Sequence, residues 1–480
     1  MHLKEYIQFD GLGLAELVRR GEVSAGELVQ LALKAIEQTH PRLNAVIATM
    51  EDSAQAALKQ GLPQGPFTGV PFLIKDILLH AAGVPSAMGS QGLRELNLAL
   101  PYDSTLMARY RQAGLVLLGR TNTPELGLSF STEPLAWGPT RNPWNPEFSS
   151  GGSSGGSAVA VRAGLVPLAY GNDGGGSLRV PASMCGLFVL KPTRGRISAG
   201  PNVGEFLHGF AAEHVLTRTV RDSAAMLDAT AGAEAGDPYI IPARERPYLE
   251  EMSRAPRRLR IALCRMAASG VPVSAQCVAA VEDAAKLCAS LGHEIVEAAP
   301  RYDAAALDAA CVTFFMGGFA AWVDAVSAMT GRKFGPDSFE ATTWATVLEG
   351  RGVKAADVYG ALGALNQVVR AVGRFFTDYD AMLTPTLAVP PFRLGVIDAN
   401  AQLGYPEFYR NQVALSPFTV VFNATGQPAM SVPLYWNAEG LPIGVQFAGK
   451  WGDEATLFRL AGQLEQARPW AHRWPPVCVA

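Results

Sequence analysis

From Gly69 to Thr193 short apolar runs alternate with glycine-rich turns: GVPFLIKDIL, AGLVLLGRTN, GLVPLAYGND and CGLFVLKPT, with helical segments such as STLMARYRQAG between them. Short apolar runs bounded by turn residues suit strands buried on both faces. Strands separated by helices imply a mostly parallel or mixed sheet covered by helices on both sides. The pattern resumes at RRLRIALCR (257–265), the helix SAQCVAAVEDAAKLCASLG and the strand HEIVEA (293–298), a further βαβ unit. It returns at DAMLTPTLAV, PAMSVPLYW and PIGVQFAGKW, before a closing helix, DEATLFRLAGQLEQA.

Two blocks depart from the alternation. Residues 1–65 read as a helical N-terminal layer, in which SAGELVQLALKAIEQTH (24–40) offers Ser24 as a cap and sets Leu28, Leu31, Ala32 and Ala35 on one face. Residues 303–376, rich in Ala, Phe and Trp at helical spacing, read as a helical insertion. No repeat, low-complexity tract or linker separates these blocks, so residues 66–480 are expected to form one core with that insertion, compact with the N-terminal layer.

Composition narrows the function. With 49% apolar and 17% charged residues the chain has ample material for a large core. A net charge of −3 without like-charge runs lacks the basic footprint of a nucleic-acid binder. No apolar stretch is read as approaching the ~20 residues that span a bilayer, and MHLKEYIQFDGLGLAELVRRGE has no signal-type apolar core. A cytoplasmic protein without nucleic-acid or membrane partners is expected. Cys185, Cys264, Cys277, Cys288, Cys311 and Cys478 show neither CxxC pairs nor short His spacing, so no metal site is expected. Most are read as small core residues; Cys311 would act as a nucleophile only if a histidine approached it in space.

Two glycine-serine loops carry the chemistry: SSGGSSGGSAVAV (149–161) and GNDGGGSLRVP (171–181). A phosphate cradle needs a GK[ST] ending that GGSSGGS lacks. A GxSxG elbow meets arginine at its fifth position, Arg179. Flexible surface loops are the commonest fate of such clusters, yet apolar runs abut both. An acyl-transfer site, with glycine N–H groups aimed at a developing oxyanion, uses the residues as they stand. A serine nucleophile needs a base, and Lys75 lies inside the apolar run LIKDILL. It reads either as an edge-strand lysine facing water or as a desolvated amine competent to accept a proton.

GGSSGGS (151–157), GNDGGGSLRVPASMCGLFVLKPT (171–193) and GVPFLIKD (69–76) together resemble the amidase signature family, Ser/cis-Ser/Lys amide hydrolases. GRTNTPELG, LTRTVRDSA, FNATGQPAMSVPL and LPIGVQFAG extend the resemblance over most of the chain. It implies an α/β fold with a mixed central sheet of about eleven strands, Ser177 as nucleophile, Ser153 as the bridging serine on a cis peptide, and Lys75 as the terminal base. The N–H groups of Gly174, Gly175, Gly176 and Ser177 would form the oxyanion hole, and neither cofactor nor metal is implied. TEPLAWGPTRNPWNP, HVLTRTVRDSA and KPTRGRISAGP look most like the subgroup of cyclic-dimer and oligomer amide hydrolases. Asn172 and Gly174 stand where many members have threonines, and the extra glycine is expected to loosen or widen the oxyanion hole.

The expected partner is therefore a small-molecule linear or cyclic amide. A carbamate or ester presents the same acyl carbonyl and stays an alternative, as does the glutaminase subunit of a tRNA-dependent amidotransferase, while a homodimer is left open. His208 and His214 are left outside the catalytic set. Asp173 and Arg179 are expected to brace the loop. Phe314, Phe315, Phe319, Trp322 and Trp344 of the insertion are read as core residues that also help shape the substrate pocket.

Overall fold

A computed structural model describes residues 1–479. Eleven strands form one mixed sheet: β1 (Val46–Thr49), β2 (Pro71–Lys75), β3 (Val116–Thr121), β4 (Leu168–Asp173), β5 (Phe188–Lys191), β6 (Ala212–Thr217), β7 (Arg260–Leu263), β8 (Glu294–Glu297), β9 (Ala381–Pro385), β10 (Ala429–Trp436) and β11 (Pro442–Gly449). Their spatial order is β1-β3-β2-β4-β6-β5-β10-β11-β9-β7-β8. Strands β3, β2 and β4 run parallel, as do β9, β7 and β8, and the intervening neighbours are antiparallel.

The apolar runs become the strands for the reason they are apolar: every residue of β2, β3, β4, β5, β9 and β11 is buried, with helices on both faces. Two strands lie where the pattern gives no mark. β1 falls within residues 1–65, so that block is not helical throughout; its helices Gly11–Arg19, Ala25–Leu43 and Glu51–Gln60 are interrupted by a four-residue edge strand paired with β3. Its outer residues are exposed, which removes the apolar run. β6 is hidden because it carries Glu213 and His214, both buried and both partnered, by Tyr170 and Ser223. Ser24 caps Ala25–Leu43 in a reciprocal box with Glu27, accepting from Glu27 N at 3.1 Å while Ser24 N donates back at 2.8 Å.

Residues 303–376 lie on three helices, Ala304–Thr330, Ala341–Gly350 and Ala355–Asp378. The first corrects the sequence reading of membrane-length segments: it has 27 residues and a mean hydropathy of 1.6 over its most apolar window, enough by length and composition to cross a bilayer. Asp308 and Asp324 break the apolar run in sequence without breaking the helix. One face, with Leu307, Cys311, Phe314, Phe315, Val323 and Val326, is buried against the fold, while alanines such as Ala305, Ala321 and Ala325 are exposed.

Candidate active site

Lys75 is the last residue of β2, an interior strand between β3 and β4, so it is a buried lysine and not an edge one. Its Nζ donates to Ser153 Oγ and to Asn172 Oδ1, each at 2.7 Å. Burial holds its pKa well below the ordinary lysine value, partly opposed by the Asp173 charge. Asp76 turns away. It accepts from Ser86 Oγ at 3.0 Å and Ala87 N at 3.1 Å and faces Arg120 at 3.5 Å, as alternation along a strand requires.

Ser153 follows a cis Gly152–Ser153 peptide and precedes the helix Gly155–Arg162. Its carbonyl accepts from Thr123 Oγ1 at 3.0 Å. Ser177 closes the turn between β4 and the helix Arg179–Cys185, and its carbonyl accepts from Ser154 N at 3.2 Å, which ties the two glycine-serine loops together. Ser153, Asn172, Gly174, Gly175 and Ser177 line one cavity of about 730 Å³.

The loop between Asp173 and Arg179 is braced from below. Arg179 Nε and Nη2 each meet the Asp173 carboxylate at 2.9 Å, and both side chains are fully buried. Burial pushes the Asp173 carboxyl up, but the Arg179 charge with hydrogen bonds from Arg179 and Asn423 outweighs it and holds the group well below the carboxylate range. Leu178 N donates to the same carboxylate at 3.2 Å. Thr419 Oγ1 donates to Gly175 O at 2.6 Å, and a Cβ on Gly176, whose φ is 146°, would lie 2.6 Å from Thr419 Oγ1. The loop carbonyls are thus turned into the protein. Among the described residues the N–H groups of Gly174, Gly175, Gly176 and Ser177 donate to no protein acceptor, as an oxyanion site requires.

Leu207 packs beside the extra glycine: a Cβ on Gly174 would sit 3.1 Å from Leu207 Cδ1. Leu207 and His208 both have left-handed φ, 49° and 54°. His208 stacks on Phe314 with centroids 4.7 Å apart and an interplanar angle of 6°, and both rings line the cavity. His214 does not reach it: it is buried in β6 with Nε2 2.9 Å from Ser223 Oγ, and burial pushes its pKa down to about 3.

Phe315, Phe319 and Trp322 join Phe314 on the wall. Trp344 is placed elsewhere, stacked on Phe339. Cys311 is fully buried, burial pushes its thiol up to about 12, and it does not line the cavity. Among the described residues the lining holds neither arginine nor lysine, and its one carboxylate is Glu205. Sequence reasoning missed Gln412, which accepts from Phe130 N at 2.7 Å and donates to Leu128 O at 2.9 Å, and Asn423, which donates to Asp173 O at 2.7 Å. Asn423 lies in FNATGQP, which the resemblance had marked without a role; Gln412 carries no local signal.

A lysine-serine pair beside a glycine-serine turn, on a mixed eleven-stranded sheet, defines a serine-dependent amide hydrolase architecture. The chain belongs to the amidase family, whose model, described as Amidase, matches residues 27–458. It is 37% identical to the 6-aminohexanoate-cyclic-dimer hydrolase of Paenarthrobacter ureafaciens over 97% of this chain and 96% of that protein. A solved 6-aminohexanoate cyclic dimer hydrolase complexed with substrate superposes with a TM-score of 0.94 at 36% identity, covering 98% and 99% of the two chains. A bacterial aryl acylamidase of the amidase signature family is similar at TM-score 0.87 and 26% identity, covering 96% and 97%. The protein is an amidase signature hydrolase acting on carbon–nitrogen bonds, with the amidase signature fold.

Proposed function

We propose that this hydrolase cleaves uncharged, largely apolar linear or cyclic carboxamides through an acyl-enzyme on Ser177. One observation carries the mechanism: a fully buried Lys75 donates to a serine and an amide and to no carboxylate. Burial lowers the pKa of such an amine, which favours the neutral form that can take a proton. Ser153 Oγ passes its proton to Lys75 Nζ and takes that of Ser177 Oγ, which attacks the carbonyl carbon. The carbonyl π pair moves to oxygen, where the N–H groups of Gly174 to Ser177 receive it. When the C–N bond breaks, Lys75 returns the proton through Ser153 to the leaving amine. Water then repeats the relay on the ester.

The substrate class follows from the wall. Phe130, Phe206, Leu207, Phe314, Phe319 and Trp322 supply apolar surface, and neither lysine nor arginine stands in the lining to meet a substrate carboxylate. A free glutamine would find neither lysine nor arginine in the lining for its carboxylate, which weighs against the glutaminase reading. Carbamates and esters of the same shape fit the same chemistry.

The test is a panel of anilides, cyclic and linear oligoamides, carbamates and glutamine, run on the isolated chain and on Ser177→Ala. Turnover of neutral amides with a fluorophosphonate label on Ser177, and loss of more than about 1,000-fold in the variant, is the expected outcome. Glutamine as the preferred substrate, or the label on Ser153, would overturn the reading.

A further inference from the structure

Lys75 Nζ has two polar partners, and the second one, Asn172, is itself held. Its Nδ2 donates to the Ile77 carbonyl at 3.3 Å and to Tyr170 Oη at 3.4 Å. A carbonyl can only accept, so Nδ2 must face Ile77 and Oδ1 must face the lysine. Tyr170 in turn donates its hydroxyl hydrogen to Glu213, which leaves the tyrosine oxygen free to accept from Asn172. The register explains the gathering. Tyr170 and Asn172 are two apart on β4 and so share a face; Glu213 lies directly across from Asn172 on antiparallel β6; Lys75 ends β2 on the other side of β4.

We propose that Asn172, locked in one amide orientation by Tyr170 and Glu213, is the positioning residue that aims Lys75 at Ser153. The proposal rests on the serine-serine-lysine reading above and adds to it the origin of the base's geometry. A neutral amine has two hydrogens and one lone pair. When Asn172 Oδ1 takes one hydrogen, rotation about the Cε–Nζ bond is restricted, and the 2.7 Å contact to Ser153, in which the resting amine donates, can reverse its roles for proton transfer, the lone pair then facing the Ser153 hydroxyl. A neutral acceptor suits this task, whereas a carboxylate in its place would hold the amine charged.

The charged groups around the lysine are otherwise committed. Asp173 on β4 is paired with Arg179, Asp76 at the end of β2 with Ser86, Ala87 and Arg120 of β3, and Glu213 on β6 with Tyr170.

Two variants test the proposal, each checked for folding by its melting curve and each assayed on an amide and on an activated ester. Asn172→Asp keeps the shape and adds a charge, so the basic limb of the kcat/KM profile for the amide should move at least about one pH unit alkaline. Tyr170→Phe removes only the hydroxyl; kcat for the amide should fall about 3- to 10-fold with KM unchanged, and the ester, whose leaving group needs no proton, should lose less. A folded Asn172→Asp with an unshifted limb, or a Tyr170→Phe with wild-type kcat, overturns the positioning role. If Asn172→Asp does not fold, the Tyr170→Phe result decides. Failure of the underlying mechanism shows separately, as a wild-type enzyme that fluorophosphonate does not label at Ser177.

Discussion

At the ends of β2, β4 and β6 Lys75, Asn172, Tyr170 and Glu213 form a continuous chain of hydrogen bonds, and the neighbouring Asp173 is clamped by Arg179 and Asn423. Across the cavity, the helix Ala304–Thr330 presents Phe314, Phe315, Phe319 and Trp322, which meet their surroundings by packing and ring stacking. The first region has one geometry that works, because a proton relay fails when a donor turns by tens of degrees. The second has many, because apolar contact is non-directional and scales with area. The function proposed above assigns chemistry to the strand ends and selectivity to the helical wall.

The sharpest way to break that division is Lys75→Met. Amide hydrolysis should fall about 100- to 10,000-fold, and activated esters by less. In the wild type the acylation rate should rise with pH through an ionisation below the ordinary lysine value of about 10.4, since the amine must lose its proton to act, and this limb should vanish in the variant. The same shift has a stability sign. A lysine neutral when folded takes up a proton on unfolding, so wild-type stability should rise relative to Lys75→Met as pH climbs from the depressed value toward about 10.4. A flat acylation profile, or near wild-type amide turnover by the variant, would remove the base from the strand ends.

On the wall the effects should be smaller and of another kind. Phe319→Ala or Trp322→Ala should change the ratio of kcat/KM between a bulky anilide and a small linear amide by roughly tenfold, leaving the pH profile in place. Constant ratios with only a lowered melting temperature would make these rings core residues and move selectivity elsewhere.

Gly174→Thr probes the seam between the two regions. The new Cβ meets Leu207 Cδ1 at 3.1 Å, so the Leu207–His208 turn must give way. A loss of about threefold to tenfold in kcat/KM is expected, largest for substrates that fill the space beside Phe314. An unchanged profile across all substrates would show that Leu207 yields freely.

Much of the architecture was legible before any coordinates. Apolar runs bounded by turns marked the strands, as in PFLIK and LTP, because burial on both faces demands apolar residues at every position. β1 and β6 escaped for opposite reasons, one being a half-exposed edge and the other carrying buried polar side chains, Glu213 and His214, that Tyr170 and Ser223 satisfy. The helix Ala304–Thr330 escaped as a membrane-length segment because two aspartates interrupt a run but not a helix.

For the site, the sequence and the resemblance it carries marked the residues proposed above to act: Lys75, Ser153, Ser177 and the glycines. What it left open was the state of each. Whether Lys75 faced water or a dry interior depended on β3 and β4 closing around β2, and the Asp173–Arg179 brace expected from the sequence is joined by Asn423, 250 positions away. His208 reached the pocket and His214 did not, and Trp344 stays out of the lining although it packs against the same cluster as Phe319. Protonation and reach are sums over neighbours that the chain supplies from distant segments, so they exist only once those segments have met.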